Sequence, residues 1–126
     1  MNLTQEQNIA TSYATILGQI IRQLRDKKGA DQADLALHLG VSVMTVSRIE
    51  SGDSVLDVPQ MEKVAEFFKM EPVQFYANTL EAKNKIEKEN CKVFQNKKEI
   101  NKHPDMAILS VAAIVGLVAA ILLSKK

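Results

Sequence analysis

Along residues 1–80 the apolar positions recur mostly every three to four residues, the period of a helix that buries one face. Ile9, Tyr13, Ile16, Ile20 and Leu24 form the first such stripe, which predicts a helix between Thr4 and Lys28. Thr4 and Gln7 fit a capping box at its start, and Gly29 stands where its end needs a left-handed residue. Asp31 is a good N-cap for a second helix over 32–39, with Leu35, Ala36 and Leu39 facing inward. Gly40 suits a tight turn, and Ser42 can cap a third helix over 43–50 that buries Val46 and Ile49 and ends at Gly52 and Asp53. Pro59 can open a fourth helix with Met61, Val64, Ala65 and Phe68 on its apolar face. Pro72 can open a fifth, with Phe75, Tyr76 and Leu80. Two short helices joined by a turn containing glycine form a helix-turn-helix signature.

The C-terminal pattern is different. Residues 106–123, MAILSVAAIVGLVAAILL, are 18 residues without a charge. At ~1.5 Å per residue such a helix is ~27 Å long, close to the ~30 Å hydrocarbon core of a bilayer. A domain this small cannot easily cover a helix that is apolar on every side, so the run reads as a single transmembrane helix acting as a tail anchor. Lys88, Lys92, Lys97, Lys98 and Lys102 precede it, and only Lys125 and Lys126 follow. That asymmetry places the N-terminal part in the cytoplasm and the chain at the inner membrane, with lipid as a partner. Ala112, Gly116 and Ala120 recur every four residues and could pack two such helices together.

Between these parts, residues 81–105 read as a lysine-rich linker. Seven Lys against five acids give it a charge of +2. Ile86, Val93 and Ile100 are spaced by seven, a thin heptad stripe that fits either a coiled-coil or helical dimer stalk, or a solvated helix or flexible tether. The expected organisation is therefore an N-terminal extension (1–13), a five-helix domain (14–80), the linker (81–105), the span (106–123) and a short tail (124–126). The fold class is all-α.

Residues 17–76 carry I-R-x-L-R, Q-x-x-L-A, G-V-S and T-V-S-R-I-E-x-G in one register. This stretch resembles the Cro/cI-type helix-turn-helix family, also called the XRE family. The resemblance implies that residues 43–50 are a recognition helix lying in the major groove of double-stranded DNA. It implies that Val43, Met44 and Arg48 read base edges, and that Ser42, Thr45 and Ser47 reach phosphates or bases. Gln32 looks like the family's glutamine that touches a phosphate and braces the recognition helix. Arg25 and Glu50 match a pair that forms an internal salt bridge. The chemistry agrees in part: Arg48 could donate two hydrogen bonds to guanine O6 and N7, whereas Val43 and Met44 could only pack on thymine methyls.

Composition and charge sharpen the picture. A length of 126 residues allows one small domain plus an appendage, and one cysteine, Cys91, excludes an intramolecular disulfide. Residues 14–80 hold seven cations and nine anions, a net charge of −2, which is unusual where phosphate contact dominates affinity. The sequence has no Gly-rich phosphate loop, no HExxH, no paired cysteines and no nucleophile elbow, so no enzyme, metal site or cofactor is expected. Two functions fit. One is a membrane-tethered, sequence-specific transcriptional regulator, most simply a repressor, whose two copies bind adjacent half-sites as a homodimer. The other is a membrane-anchored adaptor, in the layout of the cytoskeletal adaptor RodZ, whose helix-turn-helix domain binds a cytoplasmic protein.

Overall fold

The computed structural model describes residues 8–124. The first described element is a strand, β1 (Ile9–Ser12), which turns directly into helix α1 (Tyr13–Lys28). Ser12 makes the switch: its hydroxyl accepts the Thr15 N–H at 3.0 Å and caps the helix. Gly29 closes α1 at φ 75°, where its N–H reaches the carbonyls of Arg25 and Asp26. The capping box expected from Thr4 and Gln7, and the terminal Lys125 and Lys126, lie outside the described residues.

Helices α2 (Gln32–Leu39), α3 (Val43–Ser51) and α4 (Val58–Phe67) follow. Their starts are local chemistry. Asp31 and Asp34 form a reciprocal capping box on α2, Ser42 caps α3, and Asp57 with Gln60 boxes α4. Gly40 and Gly52 end α2 and α3 at φ 73° and 85°. Pro72 opens α5 (Pro72–Lys88), which continues well past Leu80. Its inward face is Phe75, Asn78, Thr79, Ala82 and Ile86, an unbroken helical stripe.

Residues 81–105 are therefore packed structure rather than a stalk or tether. After α5 come strand β2 (Cys91–Phe94) and the short helix α6 (Lys97–Ile100). The three heptad-spaced residues lie on three different elements: Ile86 on α5, Val93 on β2 and Ile100 on α6. Ile86 and Ile100 are buried and Val93 is half-buried, so their spacing reflects three separate core contacts. Cys91 is buried as well, and burial pushes its thiol pKa up.

The all-α expectation is corrected by a small sheet. β1 is its central strand, with β2 on one side and β3 (Ala107–Ile108) on the other. Both pairings are parallel: Ile9 faces Cys91 across one ladder and Ala107 across the other. Parallel neighbours need a long crossover, and here helices α1 to α5 supply it between β1 and β2. The molecule is mostly helical, with seven helices among the described residues.

The membrane expectation is overturned. Helix α7 spans Val111–Leu123, only 13 residues, because Ala107 and Ile108 are in β3 and the Leu109 N–H donates to the Ala10 carbonyl at 2.8 Å. Ser110 accepts the Ala113 N–H at 3.2 Å and starts the helix there. At ~1.5 Å per residue α7 is ~20 Å long, well short of a bilayer core. No helix among the described residues is long and apolar enough to cross a membrane, which removes the basis for the inner-membrane placement, the tail anchor and the lipid partner. The uncharged run instead buries one side. Ile114, Val118, Ile121 and Leu122 join the core against α1 and α5. The Gln23 amide also donates to the Val115 carbonyl at 2.9 Å. Ala112, Gly116 and Ala120, expected to pack between spans, are on the exposed side. The premise that failed is that an all-apolar helix needs covering all round: one side of α7 is covered, while its outer side leaves Ala112, Gly116 and Ala120 exposed together with Val111, Val115 and Leu123.

Candidate nucleic-acid interface

Helix α3 packs on α1, and α2 packs on α3 and α4, with Leu35, Ala36, Leu39, Val46 and Ile49 in the shared core. Gly18 lets α1 approach α3 closely. A Cβ there would strike the Ile49 carbonyl oxygen and lie 2.6 Å from that of Glu50. Nearby, the Gln19 amide nitrogen donates to the Glu50 carbonyl at 3.3 Å, while its Oε1 is buried without a hydrogen-bond partner among the described residues. Neither residue is part of a recognisable sequence motif; their roles come from how α1 crosses α3.

A buried polar cluster fixes the angle of α3. Arg25 Nε donates to Glu50 Oε2 at 2.7 Å and Nη2 to Oε1 at 3.1 Å, a two-pronged geometry suited to guanidinium and carboxylate. Arg25 Nη1 donates to the Ala30 carbonyl at 2.9 Å. The hydrogen bond to Glu50 raises the Arg25 pKa against the opposing effect of burial. Gln32 joins the cluster, its amide nitrogen donating to Glu50 Oε1 at 3.0 Å. Gln32 thus ties the start of α2 to the end of α3.

The opposite side of α3 faces outward. Val43, Met44, Ser47, Arg48 and Ser51 are exposed, at the spacing of one helix face, and Thr45 is half-buried. Val43 and Met44 keep 46% and 68% exposure, high for apolar side chains. Ser42 is exposed but occupied: its oxygen accepts the Thr45 N–H at 3.1 Å and lies 3.0 Å from the Thr45 hydroxyl. Arg48 makes one long contact, Nε to Ser54 Oγ at 3.5 Å. The structure thus gathers Ser42, Val43, Met44, Thr45, Ser47 and Arg48 along one helix. Arg25, Glu50 and Gln32 lie together beneath it.

One partner of this surface comes from a part of the chain that local pattern does not connect to it. Lys97 on α6 reaches the loop after α3, its Nζ 2.9 Å from Asp53 Oδ1. Ser51 Oγ donates to Asp53 Oδ2 at 2.8 Å. These hydrogen bonds, Lys97 first, hold the Asp53 carboxyl below its ordinary pKa. Among the described residues, no group of three or more His, Cys, Asp or Glu side chains could hold a metal ion.

Comparison with known proteins places the architecture. Residues 21–75 match the HTH_3 family, described as helix-turn-helix. No curated protein matches the chain. The solved structure of the restriction-modification controller protein C.AhdI from Aeromonas hydrophila is 29% identical, covering 49% of this chain and 94% of that one, with a TM-score of 0.47. The wild-type restriction-modification controller protein C.Esp1396I is 21% identical over 56% of this chain and 92% of that one, with a TM-score of 0.51. A structure of the C.Esp1396I nucleoprotein complex gives 21%, 56%, 92% and 0.50 for the same measures. At this identity the likeness to C.Esp1396I is one of fold. Residues 21–75, with α2 and α3 as the paired helices, thus match the HTH_3 helix-turn-helix family in sequence and carry its paired-helix arrangement.

Proposed function

We propose that this chain is a sequence-specific DNA-binding transcription regulator, most simply a repressor, that reads double-stranded DNA with α3. The observation that carries the reading is the division of α3 into two faces. Its inner face is locked to α1 and α2 by the Arg25–Glu50–Gln32 cluster. Its outer face presents an exposed Arg48, whose guanidinium makes a long contact to Ser54 and lies near the Asp53 carboxylate. A rigid helix with an exposed guanidinium suits a major groove, where Arg can donate two hydrogen bonds to guanine. Val43 and Met44 would pack on thymine methyls, and Ser42, Thr45 and Ser47 would reach phosphates or bases. Gln32 keeps a second amide hydrogen for a phosphate after donating to Glu50. That C.Esp1396I, of similar fold, is known as a nucleoprotein complex supports the reading. Two copies would occupy adjacent major-groove half-sites roughly 34 Å apart.

The test is to compare the full chain with Arg48→Ala on the duplex it selects from a random pool and on an unrelated duplex. Removing a two-pronged guanine hydrogen bond is worth ~1–3 kcal/mol, so affinity for the selected duplex should fall roughly 5- to 150-fold. Binding to the unrelated duplex should change much less. Equal loss on both, or no loss on either, would contradict base reading by Arg48.

A further inference from the structure

The helix-turn-helix region has an electrostatic deficit for its proposed task. Residues 14–80 net −2, and the loop leaving α3, GDSVLDV, contains Asp53 and Asp57 but no cation. A domain that holds DNA must neutralise phosphates, because phosphate contact supplies most of the sequence-independent affinity. The fold brings cations to this place from outside the domain. The short β2–α6 segment returns to the end of α3, and Lys97 lands on Asp53 at 2.9 Å. Ser51 and Asp53 share a hydrogen bond of 2.8 Å, and Arg48 touches Ser54. A polar surface therefore runs from Arg48 through Ser54, Asp53 and Ser51 to Lys97. Lys97 keeps 46% of its side chain exposed, and Lys98 beside it is exposed too.

We propose that α6 is a second DNA-contacting element, in which Lys97 and Lys98 hold the phosphodiester backbone beside the groove that α3 enters. Lys97 has a double task there. It cancels the Asp53 carboxylate, which would otherwise repel the backbone at the end of the recognition helix. Its remaining ammonium hydrogens face solvent, where they can take a phosphate oxygen. Lys98, the exposed next residue of α6, adds a further positive charge to that short helix. The exposed position of both residues leaves the core out of the exchange, so their substitution should alter affinity and not folding. This inference rests on α3 being the recognition helix.

The experiment measures affinity of the full chain for its selected duplex and for an unrelated one, from low to high salt. Removing one lysine–phosphate pairing should lower the slope of log K against log salt by ~0.9. The double variant Lys97→Ala/Lys98→Ala should therefore have a slope smaller by about 2, with the same fold-loss on both duplexes. Lys97→Arg/Lys98→Arg should retain the wild-type slope, and Asp53→Asn should tighten binding to both duplexes. Thermal unfolding of each variant checks that the fold is kept. An unchanged slope in a folded alanine double variant, while the wild type selects a site that Arg48→Ala no longer holds, overturns this inference alone. A wild-type chain that binds no duplex overturns both it and the function it rests on.

Discussion

Glu50→Ala is expected to destabilise the protein by about 3–5 kcal/mol, the usual cost of breaking a buried ion pair from one side. The reason is what it leaves behind. Arg25 is only 9% exposed, and without Glu50 its guanidinium keeps the Ala30 carbonyl and an outlying contact to Asp26 at 3.5 Å. Gln32 loses its acceptor at the same time. A native domain has roughly 5–15 kcal/mol in total, so this variant should be partly unfolded near physiological temperature. Replacing both partners by apolar residues, as in Arg25→Met/Glu50→Leu, should recover much of the loss, because no charge is then stranded. Urea unfolding of the two variants against wild type checks both statements. A loss below ~1 kcal/mol for Glu50→Ala would mean that the cluster is wetter and weaker than its geometry implies.

The second large effect concerns the C-terminal helix. Ile114 is fully buried where α7 meets α1 and α5. Ile114→Ala should cost about 2–5 kcal/mol, since it removes apolar burial and leaves a cavity. Leu123, on the same helix, is 71% exposed, and Leu123→Ala should stay within ~0.5 kcal/mol. Chemical denaturation of these two variants separates a docked α7 from a detached one. A detached α7 would make both substitutions silent; equal and large losses would place Leu123 in an interface that the single chain does not show.

The parts of the fold legible in the sequence are those governed by near neighbours. The starts of α2 and α3 follow from Asp31 and Ser42, and their ends from Gly40 and Gly52 at positive φ. The fourth helix begins one residue earlier than Pro59 alone suggests, because Asp57 and Gln60 cap one another. The stripe from Ile9 to Leu24 conceals a change of element. Ile9 and Ala10 belong to a strand, and only from Tyr13 does the helical period hold.

The illegible parts depend on distant partners. Parallel pairing of Ile9 with both Cys91 and Ala107 leaves no local mark, because each ladder joins segments widely separated in the chain. Without those partners, β2 and α6 read as a charged tether, and β3 disappears into an apolar run. That same run looks long enough for a bilayer only while Ala107 and Ile108 are counted as helix. The interface shows the same division. The residues of α3 form a readable motif, whereas Gly18, Gln19 and Lys97 acquire roles only through the crossing of α1 with α3 and the return of α6 to Asp53.

The most direct measurement of the central claim is selection from a random pool of duplexes by the full chain, followed by sequencing of the bound DNA. The expected result is enrichment of one roughly palindromic site, with half-sites about one helical turn apart and a steep loss of binding as salt rises. Recovery of duplexes with no shared sequence, or of none at all, would contradict the assignment of α3 as a DNA-reading helix.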